Sequence, residues 1–282
     1  MNLQHAYLEG QGRPHFPELL GRFQQWSDAA AAAGGVQLDL AYGAHPRQRF
    51  DHFPAQGPAT GVLLYLHAGY WQSRDKAQFR FIAPPLQQRG LHVCLVNYPL
   101  CPEVSLAELV QAVRPCVAAV RRHLRAQAVA PLPLAVAGHS AGAHLAVELA
   151  LAAAAPQAGA DDGVAGVLGI SGVYDPQPLL ETTLNDKLRL DPAAARAADV
   201  VARVLAGSTP GLWVVGGAET PAFLAQNARM HAAWQAAHPW SRSLEVPQAD
   251  HFTVLQDWCE GRGGWPAAFD AWWHAVAAGA AA

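Results

Sequence analysis

The sequence predicts a single α/β domain built on a doubly wound, mostly parallel sheet with helices on both faces. Several short runs rich in Val, Ile, Leu and Tyr are apolar almost throughout, which is typical of strands covered on both faces. The predicted strands are residues 61–67, 91–98, 132–138, 164–171 and 212–216. Segments with helical periodicity alternate with these runs, which favours parallel strands joined by helices. The predicted helices are residues 74–88, 105–126, 141–154 and 221–237.

The remaining segments complete this architecture. Residues 36–42 and 47–53 alternate in polarity around a Gly-Ala-His-Pro turn, which predicts an antiparallel hairpin at the N-terminal edge of the sheet. We expect residues 1–35 to be a helical extension, with a helix over 18–33, and residues 174–206 to be a helical insertion. A short run at 243–246 precedes a further loop, and the Ala-rich tail after Trp273 reads as the end of a helix. We therefore expect one domain spanning residues 1–282.

Composition excludes several classes of protein. The chain has 282 residues, of which 51% are hydrophobic and 15% charged, so disorder is excluded as the main state. The net charge of −3 comes without a basic stripe, so we expect no nucleic-acid partner. The most apolar run, residues 145–155, contains Glu148 and is about half the ~20 residues that a membrane helix needs. Residues 1–5 show no signal peptide pattern, and the four cysteines form no CxxC pair. We expect reduced thiols in a cytoplasmic protein.

One motif points to nucleophilic catalysis. Gly138-His139-Ser140-Ala141-Gly142 lies between a predicted strand and a predicted helix. A G-x-S-x-G sequence at such a turn is typical of a nucleophile elbow, in which small flanking residues let the serine hydroxyl project above the sheet. The alternative is a tight turn whose glycines only permit close packing. The strand and helix around the motif favour the elbow.

A nucleophilic serine needs backbone N–H groups to hold the developing oxyanion, each worth ~3–4 kcal/mol. The N–H of Ala141 is one candidate, and the loop after the strand at 61–67 supplies Ala68 and Gly69. His67, at the start of this loop, is expected to shape it rather than to titrate. Tyr70 and Trp71 fit core packing and substrate contact equally well.

The order Ser…Asp/Glu…His along the chain directs the search for the other two catalytic groups. Glu219 follows the strand at 212–216, and His251 follows the short run at 243–246. Both therefore lie at the sheet edge expected for Ser140. Competing acids are Asp250, which adjoins the histidine and would point elsewhere, and Asp186 and Asp191 in the insertion. Glu219 could alternatively serve only as a carboxylate at a helix start.

Several segments together resemble a known family. They are HAGYW (67–71), NYPLCPEVSL (97–106), GHSAGAHLA (138–146), GGAETPAF (216–223) and DHF (250–252). They resemble the α/β-hydrolase superfamily and, within it, the kynurenine formamidase (arylformamidase) group, which is related to hormone-sensitive-lipase-like esterases. The chain departs from the usual HGG loop at Ala68, and its acid is Glu rather than the commoner Asp. Ala68 would be strained only if that position required a positive φ.

The resemblance implies an α/β-hydrolase fold and a Ser140–His251–Glu219 triad that hydrolyses an aryl formamide such as N-formylkynurenine. The implied reaction needs neither a cofactor nor a metal. Substrate contacts would come from aromatic side chains: Tyr70, Trp71, Tyr174 and Phe252. The expected partner is a small-molecule substrate, and we expect no binding to a membrane. Whether the protein forms a homodimer is left open by the sequence. A carboxylesterase for small acyl esters shares every catalytic residue, and a non-catalytic ligand-binding protein on the same fold is the alternative from another class.

Overall fold

The computed structural model describes residues 2–155, 159–205 and 209–279. Within these ranges eight strands form one sheet in the order β1-β2-β4-β3-β5-β6-β7-β8. The strands are β1 (Gln37–Ala41), β2 (Arg49–Phe53), β3 (Gly61–Leu66), β4 (Leu91–Val96), β5 (Leu134–His139), β6 (Gly166–Ile170), β7 (Gly211–Gly216) and β8 (Ser241–Val246). β2 pairs antiparallel with both β1 and β4, and the pairs from β4 to β8 are parallel. The predicted fold class, including the edge hairpin, is confirmed.

Helices cover both faces of this sheet. They are α1 (Leu3–Gly12), α2 (Phe16–Ala31), α3 (Ala83–Gln87), α4 (Leu106–Val113), α5 (Cys116–Ala126), α6 (Ala141–Ala153), α7 (Asn185–Leu188), α8 (Pro192–Ala197), α9 (Pro221–Ala237), α10 (Thr253–Cys259) and α11 (Trp265–Gly279). Short 3-10 helices occupy Lys76–Ile82, Ala160–Asp162, Gln177–Glu181 and Val201–Arg203. In the part of the chain that the structure describes, no helix is long and apolar enough to cross a membrane.

Two predicted helices differ from those observed, and prolines explain both differences. The segment 105–126 is two helices, because Pro115 lacks the N–H that would continue α4 into α5. The segment 74–88 begins as the 3-10 helix Lys76–Ile82 and continues as α3, where Pro84 and Pro85 occupy the first turn. The insertion after Tyr174 contains only short helical pieces, and its last predicted residue, 206, lies outside the described residues. The tail is helical to Gly279, and residues 280–282 also lie outside them.

The sheet divides the core into two apolar clusters, which explains why its strands lack an alternating pattern. In β3, Leu64 and Leu66 face one cluster, whereas Leu63 and Tyr65 face the other. All six residues of β3 are buried, and so are all six of β4 and of β5. Burial on both faces also requires every residue of these strands to be apolar or paired, because unpaired polar groups are costly there.

Three histidines link the sheet edge to a neighbouring helix. Nε2 of His52 in β2 lies 3.0 Å from Nδ1 of His92 in β4, and Nδ1 of His52 lies 3.0 Å from Nε2 of His123 in α5. His52 and His92 are buried, and His123 is partly exposed. Burial, followed by the nearby His123 and His92, lowers the pKa of His52 to about 3. His52, the central imidazole of the three, is therefore neutral at physiological pH.

Candidate active site

Ser140 occupies the turn between β5 and α6 with φ 56° and ψ −118°, outside the regions that most residues adopt. Two glycines make this turn sterically feasible. A Cβ on Gly138 would lie 2.1 Å from the carbonyl oxygen of Gly142, and a Cβ on Gly142 would lie 2.1 Å from the carbonyl oxygen of Leu66. Because Gly142 has no side chain, the turn can lie directly against the end of β3. The geometry is that of a nucleophile elbow at the carboxyl edge of the sheet.

Glu219 and His251 meet at the same edge. The Nδ1 of His251 lies 2.7 Å from Oε2 of Glu219, and both side chains are buried. Glu219 follows β7 and precedes α9, whereas His251 lies in the loop between β8 and α10. An ionised carboxylate can only accept, so Nδ1 donates and Nε2 is left as the proton acceptor of the ring. The pair has the arrangement that a general base needs.

The second oxygen of Glu219 is held by Ser171, which the sequence reasoning missed. Oγ of Ser171 donates to Oε1 of Glu219 at 2.5 Å, and the backbone N–H of Gly216 donates to the same oxygen at 2.8 Å. Ser171 directly follows β6 and has φ 48°, a left-handed conformation that is unusual for serine. The signal in the sequence was a serine at the end of the strand that neighbours the elbow strand. Its hydrogen bond fixes the orientation of the carboxylate toward His251.

The imidazole of His251 is also fixed by three rings. Its centroid lies 4.4 Å from that of Phe223, 4.6 Å from that of His139 and 5.0 Å from that of Phe252. Nε2 of His139 donates to the carbonyl oxygen of His251 at 2.7 Å. Burial, together with the neighbouring His251, lowers the pKa of His139 well below its ordinary value. His139 is therefore a neutral support for the loop that carries His251.

The loop after β3 contains the predicted oxyanion donors. Gly69 has φ 129°, and a Cβ there would lie 2.1 Å from the carbonyl oxygen of Ser73. Ala68 is not among the described residues with positive φ, so alanine replaces the usual glycine without backbone strain. Ala141 is the first residue of α6, where the N–H has no carbonyl partner within the helix. The elbow packs against this loop, because the carbonyl oxygens of Leu66 and His67 lie where a side chain on Gly142 would be.

His67 shapes the loop from within. Its ring stacks on Tyr98 at 4.3 Å and on Phe79 at 6.0 Å, and its Nδ1 donates to the carbonyl of Ala68 at 2.7 Å. The hydroxyl of Tyr98 donates to the carbonyl of His67 at 2.6 Å. Burial lowers the pKa of His67 to about 4. The ring is therefore neutral at physiological pH, and its contacts are those of a loop support.

Comparisons with known proteins agree with this geometry. A family model described as the alpha/beta hydrolase fold matches residues 63–254, which is more than half of the chain. The chain belongs to the alpha/beta hydrolase fold family. A kynurenine formamidase of Danio rerio is 28% identical over 240 residues, covering 82% of this hydrolase and 79% of that enzyme. The resemblance read from the motifs is confirmed.

Solved structures show the same fold. A candidate thioesterase from Silicibacter sp. TM1040 is 30% identical, with a TM-score of 0.79, and the match covers 91% of this chain and 94% of that one. An esterase of the bacterial hormone-sensitive lipase family has a TM-score of 0.68 at 18% identity and covers 94% and 99% of the two chains. The second likeness supports the fold alone.

Helix α1 of this hydrolase, which was not predicted as a separate element, covers the candidate catalytic residues. A Cβ on Gly10 would lie 2.9 Å from Cβ of His251, so the helix passes directly over the base. The hydroxyl of Thr220 donates to the carbonyl of Ala6 at 2.6 Å, and the hydroxyl of Tyr70 donates to the carbonyl of Tyr7. With this cover Ser140 is 1% exposed and His251 6% exposed. The site is closed from solvent in this conformation.

The residues predicted to contact substrate have different environments. Tyr70 and Trp71 both have positive φ (50° and 58°), and both are buried. The Trp71 ring meets His144 of α6 edge-on at 5.2 Å, so it lies beside the first turns of the helix that follows Ser140. Tyr174 is buried edge-on against Trp213 at 5.5 Å. The buried indole N–H of Trp71 and hydroxyl of Tyr174 have no hydrogen-bond partner within residues 2–155, 159–205 and 209–279.

Phe252 lies at the other side of the base, packed between His251 and Phe16 of α2, whose ring centroid is 4.5 Å away. Phe252 and Phe223 together surround the imidazole of His251 with apolar surface. This apolar wall limits the access of water to the base when the N-terminal helices are in place.

The competing acids lie elsewhere in the hydrolase. Asp250 accepts the backbone N–H groups of Phe252 and Thr253 at 2.9 and 2.8 Å, and it pairs with His15 at 2.7 Å. These contacts direct its carboxylate away from the ring of the neighbouring histidine. Asp191 caps α8 through the N–H of Ala194, and Asp186 is exposed on α7. The structure brings neither of the last two acids to the base. The described residues contain no group of three metal-ligating side chains arranged to hold a metal ion.

Proposed function

We propose that this hydrolase cleaves an aryl formamide such as N-formylkynurenine into formate and the free aryl amine through a formyl-enzyme on Ser140. The contact between His251 and Glu219 beside the elbow carries the proposal, because it leaves Nε2 of the base as a proton acceptor. The likeness to kynurenine formamidases over most of the chain supports the substrate class. The closed site and the indole of Trp71 beside α6 favour a small acyl group.

The reaction proceeds in two steps. His251 removes the hydroxyl proton of Ser140, whose oxygen attacks the formyl carbon, while N–H groups of Ala68, Gly69 and Ala141 stabilise the oxyanion. The protonated imidazole then gives its proton to the departing aryl nitrogen, and the C–N bond breaks. Water, deprotonated by the same imidazole, attacks the formyl ester, and formate leaves with return of the proton to Ser140.

A comparison of rates tests the proposal. The purified enzyme is assayed on N-formylkynurenine and on p-nitrophenyl acetate, and we expect a higher kcat/KM on the formamide. The variant Ser140→Ala is expected to lose about four to six orders of magnitude in kcat with an unchanged circular dichroism spectrum, because the triad acts as one unit. A preference for the ester would instead identify a carboxylesterase. Failure of a fluorophosphonate probe to label Ser140 would favour a non-catalytic ligand-binding protein.

A further inference from the structure

Arg74, at the end of the oxyanion loop, holds a partly buried positive charge without a counterion. Its backbone has φ 75°, and burial lowers the pKa of its guanidinium. Within residues 2–155, 159–205 and 209–279 the guanidinium has no ion-pair or hydrogen-bond partner, and its recorded contact is with the ring of Phe16, 5.6 Å from the centroid. Removing a charge from water without a partner is costly, so a site of this kind favours the binding of an anion.

The position of Arg74 connects it to the catalytic machinery on both sides. A Cβ on Gly69 would lie 2.9 Å from Cγ of Arg74, so the stem of the side chain packs on the oxyanion glycine. Phe16, beneath the guanidinium, contacts Phe252, and Phe252 contacts His251. The guanidinium therefore lies at the end of the candidate oxyanion loop, separated from His251 by two aromatic rings, those of Phe16 and Phe252.

The carboxylates nearest in the chain and at the site are already engaged. Asp75 accepts hydrogen bonds from Arg47 at 3.2 Å and from the side-chain amide of Asn97 at 2.6 Å. Asp250 accepts from the backbone of its own loop and from His15. Both carboxylates therefore have partners other than Arg74, whose guanidinium is left available.

We propose that Arg74 binds a carboxylate of the substrate, so that the preferred substrate is an aryl formamide bearing a carboxylate remote from the scissile bond. The inference rests on the proposed function and names its substrate class more closely. A planar guanidinium matches a carboxylate with two parallel hydrogen bonds, and partial burial strengthens that attraction. The α-carboxylate of N-formylkynurenine meets this requirement. Binding there anchors the far end of the molecule while the formyl group enters the oxyanion hole.

The test compares two substrates that differ only in charge: N-formylkynurenine and the analogue in which its carboxylate is a carboxamide. We expect wild-type kcat/KM to favour the carboxylate by about 10- to 100-fold, the usual range for a hydrogen-bonded charge. Arg74→Met, which keeps the apolar stem over Phe16, should abolish most of that preference and leave the carboxamide rate within about 3-fold. Arg74→Lys should restore part of the preference, since lysine keeps the positive charge but cannot form the two parallel hydrogen bonds of a guanidinium. The control Arg122→Met removes an exposed charge from α5 and should change neither rate.

An unchanged ratio in Arg74→Met, or a wild-type ratio near one, would overturn the inference while leaving the formamidase proposal intact. If wild-type enzyme cleaves neither formamide, the proposed function fails by itself. In that case kcat/KM of wild type and Arg74→Met is measured on 4-acetoxybenzoate and on 4-acetoxybenzamide. A loss in Arg74→Met confined to the benzoate supports carboxylate binding, and an equal loss on both esters contradicts it. The melting temperature of each variant separates a folding defect from lost recognition. The ratio of the two wild-type kcat/KM values tests the preference for a carboxylate even if a variant fails to fold.

Discussion

Acid sensitivity of the fold is expected to depend on His52, the central member of the three linked imidazoles. Its pKa of about 3 in the folded protein lies below its ordinary value of 6.5, so the unfolded chain binds the extra proton first as pH falls. Stability from the neutral ring is therefore complete above about pH 7 and is lost progressively as pH falls through 6.5 toward 3. Between about pH 7.5 and pH 5 this single group removes about 2 kcal/mol of the free energy of unfolding. In a chain of this size that loss corresponds to about 4–8 °C in Tm.

The assay measures Tm by scanning calorimetry at both pH values for wild type, His52→Gln and His5→Gln. His5 is exposed on α1 and serves as the matched control. His52→Gln should be less stable than wild type at pH 7.5 but should lose about 4–8 °C less on acidification. Buried histidines that do not contact His52 titrate equally in all three proteins, so the difference between the two drops reports His52 together with its partners His92 and His123. If wild type and His52→Gln lose the same number of degrees, the linkage argument is wrong.

Three further predictions concern the catalytic groups. Glu219→Gln should lower kcat/KM on p-nitrophenyl acetate by about 10³–10⁴, far more than Asp250→Asn, because only Glu219 contacts the catalytic base; the reverse order would exclude it as the triad acid. Ser171→Ala should lower kcat by about 10-fold at constant KM and move the acid limb of the pH–rate profile, since it removes one of the two hydrogen bonds to Oε1 of Glu219; an acid limb that does not move would mean that Ser171 only contributes packing. Gly69→Ala should cost over about 100-fold in kcat because its Cβ would collide with a backbone carbonyl. Ala68→Gly is the control and should retain activity.

The parts of the fold that could be predicted are those governed by local sequence. Strands β3, β4 and β5 are recognisable because burial on both faces demands continuous apolar residues, and the turn around Ser140 because its glycines are sterically required. The chain order of nucleophile, acid and base predicts Glu219 and His251 from the sequence alone. Such features depend on a few adjacent residues.

The unpredicted parts depend on contacts between distant segments. Helix α1 has only two fully buried residues, Ala6 and Tyr7, so its own sequence gives a weak apolar pattern, and its place is set by bonds to Thr220 and Tyr70. The role of Ser171 follows from the neighbouring positions of β5, β6 and β7 in the sheet, which no local pattern records. Carboxylate orientation is likewise a property of the assembled loops.

The path of α1 over His251 has an evolutionary consequence. The proposed catalytic groups come from residues 68–251, whereas one wall above them is contributed by a helix encoded at residues 3–12. Substitutions in this short stretch can reshape the entrance without disturbing the hydrogen bonds of the reacting groups. Gly10 is the exception, because a Cβ there would lie only 2.9 Å from Cβ of His251. Diversification of substrate range in such enzymes is therefore expected to concentrate on the exposed positions of the helix and to spare Gly10.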